Sequence, residues 1–179
     1  KQRSGVSLVL SERGASVENP RMRASGGGVM MHLAEYNFGT LRYGWDDPRS
    51  ADFVAGLDLV NGLADRAKGF VWRATDDNVG QDGATLADLL PEDRARLESD
   101  GLAATLSVWQ SAEALENFVW KTVHRQFYAR KAEWYEAAGN GNLVLWWIAE
   151  GTRPSAAEGM ARWRHMQANG NSDQAFGWS

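Results

Sequence analysis

Apolar and polar positions beyond residue 31 follow two periods, and together they predict a mixed α+β domain. Residues 32–39 alternate with a period of two, which is typical of a strand. Short apolar runs rich in β-branched and aromatic residues predict three further strands, at 70–74, 102–109 and 143–149. Apolar residues three or four apart predict helices from about Pro48 to Lys68, Ser111 to about Ala138, and Ser155 to Ala168.

Capping and turn residues support these boundaries. Asp46-Asp47-Pro48 places a cap and a first-turn proline before the first helix, and Gly69 follows its end. Gly139-Asn140-Gly141 is a strong stop after the second helix. Residues 84–100 are charged and contain a proline, so we expect an irregular excursion there with at most a short helix.

The element order β-α-β-β-α-β-α predicts a ferredoxin-like βαββαβ domain with an extra C-terminal helix. Its split crossovers give an antiparallel four-stranded sheet with helices on one face. Residues 143–149 are apolar at both odd and even positions, so the sheet has a second apolar face that needs a cover. Pairing with another copy is the economical cover, and we therefore expect a homodimer.

The helix predicted from Ser111 carries two apolar stripes. On a helical wheel, the stripe of Trp120, His124, Phe127, Lys131 and Trp134 is turned away from the stripe that anchors the helix to the sheet. Either the helix bends near residues 120–126, or its second half packs against another partner, such as a subunit or a pocket wall.

His124 is the leading candidate for chemistry, because an imidazole among aromatic rings, with a cation seven residues on, can act as a base or a ligand. The alternative is a structural histidine at a helix contact. Lys131 could orient an anionic or oxygen species, or be an exposed helix lysine. Arg73 completes the catalytic candidates, as a cation on a polar strand face.

Binding candidates are the aromatic residues of the helix and strands, together with nearby amides. They are Trp72, Trp109, Trp120, Phe127, Trp134, Trp146, Asn37 and Asn61. The tryptophans and Phe127 could equally be core or dimer contacts. The strand faces with Glu35, Asn37, Arg73, Thr105 and Ser107 are the more polar ones, as in a pocket lining; alternatively, Glu35 pairs with Arg73 across the sheet.

Composition excludes several classes of protein. The chain has no cysteine, which rules out disulfides and thiolate chemistry. Residues 1–31 are basic and glycine-rich, and we interpret them as a flexible leader, or a segment added for expression, before one domain at 32–179. The remaining chain is acidic, which disfavours nucleic acid. No apolar run is long enough for a membrane span, and a cytoplasmic location is the default expectation.

Motifs that would mark a metal or nucleotide enzyme are missing from the sequence. Its three histidines are far apart, with no paired-histidine zinc motif, and there is no phosphate-binding glycine loop or nucleophile elbow. We expect no cofactor and no metal, although haem held by a single histidine stays open.

Several segments in the same order resemble a bacterial family of domains of unknown function, number 3291. They are His32 to Asn37, Asp46 to Pro48, Asp58 to Arg73, Leu106 to Trp109, His124 with Lys131 and Trp134, Leu143 to Trp147, and His165 before Phe176. That family is similar to the dimeric α/β-barrel proteins, which include antibiotic-biosynthesis monooxygenases, haem-degrading enzymes and small isomerases. The resemblance implies a barrel of two sheets with a pocket between sheet and helices.

Three hypotheses for function follow. The first is a small-molecule enzyme of secondary metabolism that acts on an apolar or aromatic substrate, by cofactor-independent oxygenation or by proton-transfer isomerisation or cyclisation. The second is a binding module for a hydrophobic ligand or haem, and the third is a non-catalytic structural dimer.

Overall fold

The computed structural model describes residues 30–75, 77, 79–121, 130–136 and 142–178. The strands are β1 (Met31–Thr40), β2 (Phe70–Arg73), β3 (Leu102–Trp109) and β4 (Leu143–Ala149). The helices are α1 (Ala51–Ala64), α2 (Pro91–Leu97), α3 (Ala112–Lys121), α4 (Lys131–Trp134) and α5 (Ala156–Asn169). A 3-10 turn at Pro48–Ser50 leads into α1, and another at Leu86–Asp88 precedes α2.

The four strands form one antiparallel sheet, as predicted, and their order in it is β2-β3-β1-β4. The register places Glu35 of β1 between Ser107 of β3 and Leu145 of β4. β2 pairs only with the second half of β3, where Arg73 lies opposite Ser107. The first half of β3 therefore continues past the end of β2.

The odd-numbered residues of β1, β3 and β4 form one face of the sheet, called the odd face below. Helices α1 and α3 cover it, as expected from their apolar spacing. The buried contacts include Val60 of α1 and Leu115 and Phe118 of α3, which pack around Leu33 and Trp109. This layer is the conventional core of the domain.

The even-numbered residues form the even face, and α5 and α2 cover it within the same chain. Met160 and Trp163 of α5 pack on Tyr36, Phe38 and Trp146. The sheet is therefore apolar on both faces, as predicted, but the prediction of helices on one face only is wrong. Because this chain covers its own second apolar face, that face no longer indicates a homodimer. The oligomeric state stays a prediction.

Gly159 allows α5 to lie directly on the sheet. A Cβ at this position would collide with the Tyr36 ring. α5 begins at Ser155, whose side chain accepts a hydrogen bond from the Glu158 backbone N–H. Its partner helix α2 is joined to it by an ion pair between Arg164 and the buried Asp93.

The chain after α3 differs from the continuous helix that the periodicity predicts. α3 is described to Lys121, residues 122–129 lie outside the described part, and α4 ends at Trp134 rather than near 138. Tyr135 then takes an extended conformation and bridges to Leu41, beyond the end of β1. Backbone pairing just beyond the end of β1 thus ends this helix earlier than its apolar spacing predicts.

Candidate functional site

Glu35 is a carboxyl group at the centre of the sheet, on the odd face. It is completely buried, since it lies in the middle strand β1 beneath the layer of α1 and α3. No lysine, arginine or histidine forms an ion pair with it among the residues that the structure describes. Burial raises the pKa of Glu35 to about 8, although hydrogen bonds from Ser107 and Thr105 oppose the shift.

Two hydroxyl groups of β3 hold this carboxyl group. Ser107 Oγ donates to Glu35 Oε2 at 2.8 Å, and Thr105 Oγ1 approaches Oε1 at 3.3 Å. Trp109 Nε1 donates to Ser107 Oγ at 2.9 Å, so the serine hydroxyl is oriented toward Glu35. All of these side chains are buried. The period of two along β3 brings them to one face, and the antiparallel register brings that row to Glu35.

The alternative that Glu35 pairs with Arg73 is wrong. Arg73 Nε and Nη2 donate to the carboxylate of Asp65 at 2.8 and 3.1 Å. Asp65 follows the last turn of α1, and the register of β2 shifts between Phe70 and Trp72, so the arginine side chain is engaged at the edge of the sheet. Arg73 therefore serves to join β2 to α1.

Asn37 and Asn61 lie in the same layer as Glu35. Asn37 is the next residue of β1 on the odd face and is completely buried, and Asn61 is a buried residue of α1. Buried amides of this kind need hydrogen-bond partners, and both residues have interactions. The odd face thus concentrates polar side chains in an otherwise apolar layer.

A cleft of about 590 Å³ opens beside the first half of β3, where β2 no longer pairs. Its apolar wall comes from Leu97 of α2 and from Leu102 and Leu106 of β3, with Ala157 of α5 on the other side. This volume suits a small organic ligand. Exposed apolar side chains of Val79 and Leu86 continue the wall to the mouth.

Polar residues of the cleft include two from the sheet. Tyr36 lies in the wall, and its buried hydroxyl has no hydrogen-bond partner within the described part of the chain. Burial raises the pKa of Tyr36, so the phenol stays protonated. Thr105 also lines the cleft, and its hydroxyl contacts Glu35. Thr105 is therefore a residue of the lining whose side chain is turned to the buried carboxyl group on the odd face.

Backbone hydrogen bonds fix the outer wall of the cleft to the start of α5. Gln81 and Asp82 donate to the carbonyl of Arg153, and Ser155 donates to that of Asp82. The backbone N–H of Ala84 donates to the Glu158 carboxylate. Gly80 lies so close to the backbone at Pro154 that no side chain would fit there. The wall is thus tied down at several points along its length.

The candidate site residues predicted from sequence do not form one group. His124 and Phe127 lie outside the described residues. Lys131 begins α4 and is half-buried, and Trp134 packs against Phe53 near the end of β1. Trp72 and Trp146 belong to the even face, whereas Trp109 and Trp120 pack on the odd face. The structure separates these two tryptophan pairs by the thickness of the sheet.

The sequence places Glu35 on a polar strand face but does not single it out as a site residue, and it does not locate the cleft. A charge at a buried position of a central strand is a usable signal of function. The cleft has no such signal, because its walls come from a loop, two helices and a strand end that lie far apart in sequence.

Neither a metal-ligand cluster nor a membrane span occurs within the described residues. These residues contain no group of three or more acidic or histidine side chains that could hold a metal ion. None of the described helices combines the length and apolar character that a bilayer crossing requires.

Comparisons with known proteins give a family but no activity. No curated protein matches the chain. A conserved protein from Methanosarcina mazei Go1 is similar in structure, at 11% identity and a TM-score of 0.42, over 67% of this chain and 93% of that one. A protein of unknown function from Nitrosomonas europaea gives 10% identity and a TM-score of 0.41, over 71% and 96%. The model of the domain-of-unknown-function family DUF3291 matches residues 32–179. The chain therefore belongs to the DUF3291 family.

Proposed function

We propose that the protein is a small-molecule enzyme that acts on an apolar or aromatic substrate by proton transfer, as an isomerase or cyclase does. The observation that supports this most is Glu35, a buried carboxyl group without a cationic partner among the described residues. A carboxyl group with a pKa of about 8 can give or take a proton near neutral pH. Purely structural carboxylates usually gain a cation or stay at the surface.

The cleft supplies the substrate-binding volume in this proposal. Its apolar wall excludes water from the substrate, and Thr105 lies both in that wall and against Glu35. In the first step, the hydroxyl of Thr105 accepts a proton from a substrate carbon while it passes its own proton to the ionised Glu35. In the second step, Glu35 returns a proton through the same hydroxyl to another carbon of the substrate. Ser107, oriented by Trp109, keeps the carboxyl group in place during both steps.

The relation of this fold to the ferredoxin-like and dimeric α/β-barrel proteins is part of the same proposal. The strand order β2-β3-β1-β4 and the antiparallel pairing agree with a ferredoxin-like domain, which supports a distant relation to the dimeric α/β-barrel and monooxygenase-like proteins. The even face, which would close such a barrel, already carries α5. We place the protein in the cytoplasm, and we keep His124 as a predicted acid–base partner.

The second candidate function is a carrier that holds an apolar ligand without turnover. The outer wall of the cleft favours it, because several backbone hydrogen bonds hold this wall in place beside the binding volume. Haem is one predicted ligand. A Soret band on titration with haemin, lost in His124→Ala, would support haem, and an unchanged spectrum would remove it.

Deuterium exchange tests the proton-transfer proposal. Ketones that contain an aromatic ring, one neutral (2-tetralone) and one amino-substituted (2-aminoacetophenone), are incubated with the protein in D₂O, and exchange at the α-carbon is followed by NMR. We expect the wild type to accelerate exchange and Glu35→Gln to lose at least 100-fold of that rate, in line with general acid–base catalysis. Glu116→Gln, an exposed change on α3, is the matched control.

Two results would overturn the proposal. One is exchange at the wild-type rate in Glu35→Gln, which would take the proton transfer away from this residue. The other is a wild type that accelerates none of the ketones although they bind in the cleft, and this result would favour the carrier.

A further inference from the structure

We infer that the cleft selects a cationic amphiphile: an apolar, ring-sized molecule that carries an amine. This inference rests on the proposed function only in using the same cleft, and it names the class of substrate. Three observations carry it: the charge of the residues that line the cleft, their position, and a buried hydroxyl in the wall.

The mouth of the cleft carries two acidic side chains and no basic one. Glu98 and Asp100 follow the end of α2, and both are exposed and line the cleft. Neither takes part in an ion pair within the described residues. Described lysines, arginines and histidines are all missing from the lining. An ammonium group at the mouth would therefore be attracted, and a carboxylate would be repelled.

The arginines of α2 form no ion pair with these two acids. Arg94 Nε donates to the carbonyl of Leu86 at 3.0 Å, which holds this guanidinium against the backbone of the wall. Arg96 is exposed, its guanidinium lies over the rings of Phe38 and Trp163, and its charge acts on the Tyr36 hydroxyl behind the inner wall. Neither arginine lines the cleft. The charged side chains that line the cleft itself are therefore both acidic.

The interior of the cleft fits an apolar body with one further polar atom. Leucine and alanine side chains make up most of the inner wall, and about 590 Å³ is enough for a two-ring molecule. Tyr36 is the independent sign that the wall is built for a ligand, since its hydroxyl is buried there without a described partner. A ligand with an amine at one end, and rings that carry one hydrogen-bonding atom at the other, fits the acidic mouth, the apolar wall and the Tyr36 hydroxyl.

Three probes of one shape test the selection: 2-(aminomethyl)naphthalene, 2-ethylnaphthalene and 2-naphthoate. Affinities for the full chain are measured by calorimetry at low and at physiological salt. We expect the amine to bind about tenfold more tightly than the naphthoate, which corresponds to two partly screened charge interactions. The difference should shrink as salt is added, because both acids are exposed.

Two variants locate the effect. Glu98→Gln with Asp100→Asn should bring the amine and the naphthoate to equal affinity while the hydrocarbon is unchanged. Ala104→Phe, which fills the cleft, should weaken all three probes at least tenfold. Glu116→Gln should change nothing, and thermal melting confirms that each variant is folded.

The inference is overturned if the naphthoate binds as tightly as the amine, or if the double variant keeps the preference of the wild type. Amine-selective binding together with a failed ketone exchange would leave this inference standing and remove the proposed reaction. Ketone exchange without charge selection would do the opposite.

Discussion

Removing the ionisable group of Glu35 should make the protein more stable at alkaline pH. The folded protein holds the Glu35 proton up to pH of about 8, whereas the unfolded chain releases it near the ordinary value of 4.5. Between these two values unfolding releases a proton, so a rise in pH favours the unfolded chain. Above pH of about 8 both states are ionised, and the cost of the buried charge is complete.

The size of this cost follows from the shift of the pKa. Each pH unit between 4.5 and about 8 removes about 1.4 kcal/mol from the free energy of unfolding. The full penalty at pH 9 is thus on the order of 4–5 kcal/mol, which is a large part of the stability of an ordinary domain. Glu35→Gln never carries the charge. It should match the wild type within about 1 kcal/mol at pH 5 and exceed it by several kcal/mol at pH 9.

Urea unfolding followed by tryptophan fluorescence at pH 5, 6, 7, 8 and 9 measures the difference. Other titrating groups contribute equally to both proteins and cancel when the two free energies are subtracted. Glu116→Gln, on the exposed side of α3, should give a flat difference over the same range. A flat difference for Glu35→Gln would contradict this prediction, since Glu35 would then titrate alike in both states.

Two further changes test how the even face is covered. Gly159→Ala would put a methyl group into the Tyr36 ring and should cost about 1–3 kcal/mol by urea unfolding. Gly62→Ala in α1 meets only the flexible end of an arginine and should be neutral or stabilising by up to about 1 kcal/mol; equal effects at the two glycines would contradict the close approach. Arg164→Ala removes the cation that pairs with buried Asp93 and should lower the free energy of unfolding by about 1–2 kcal/mol, since Arg164 is itself partly exposed. Unchanged urea midpoints would show that the pair is dispensable.

The strands could be predicted closely because local sequence determines them. β3 and β4 have the bounds that their apolar runs predict, since turn residues flank both. The end of α4 could not be predicted, because Tyr135 leaves the helix to pair with Leu41, which lies far away in sequence. The spacing of apolar residues describes one helix at a time. It carries no information on a distant segment whose backbone pairs with residues of that helix.

The candidate site shows the same limit at the level of register. A period of two assigns Glu35, Thr105 and Ser107 to polar strand faces, but it does not say which strand lies beside which. The pairing of β1 with β3 decides that Glu35 meets the hydroxyls, and a shift within β2 lets Arg73 bind Asp65. The sequence predicts that the sheet has a second apolar face, but it does not predict that α5 and α2 cover this face.

The position of α5 has a consequence for the order of events during synthesis. All four strands precede this helix in the chain, and the outer wall of the cleft is tied to its start. A nascent chain that has completed the sheet still exposes Tyr36 and Trp146 until α5 has left the ribosome. During this interval the even face lacks the cover that α5 gives it, and exposed apolar surface of this kind promotes aggregation.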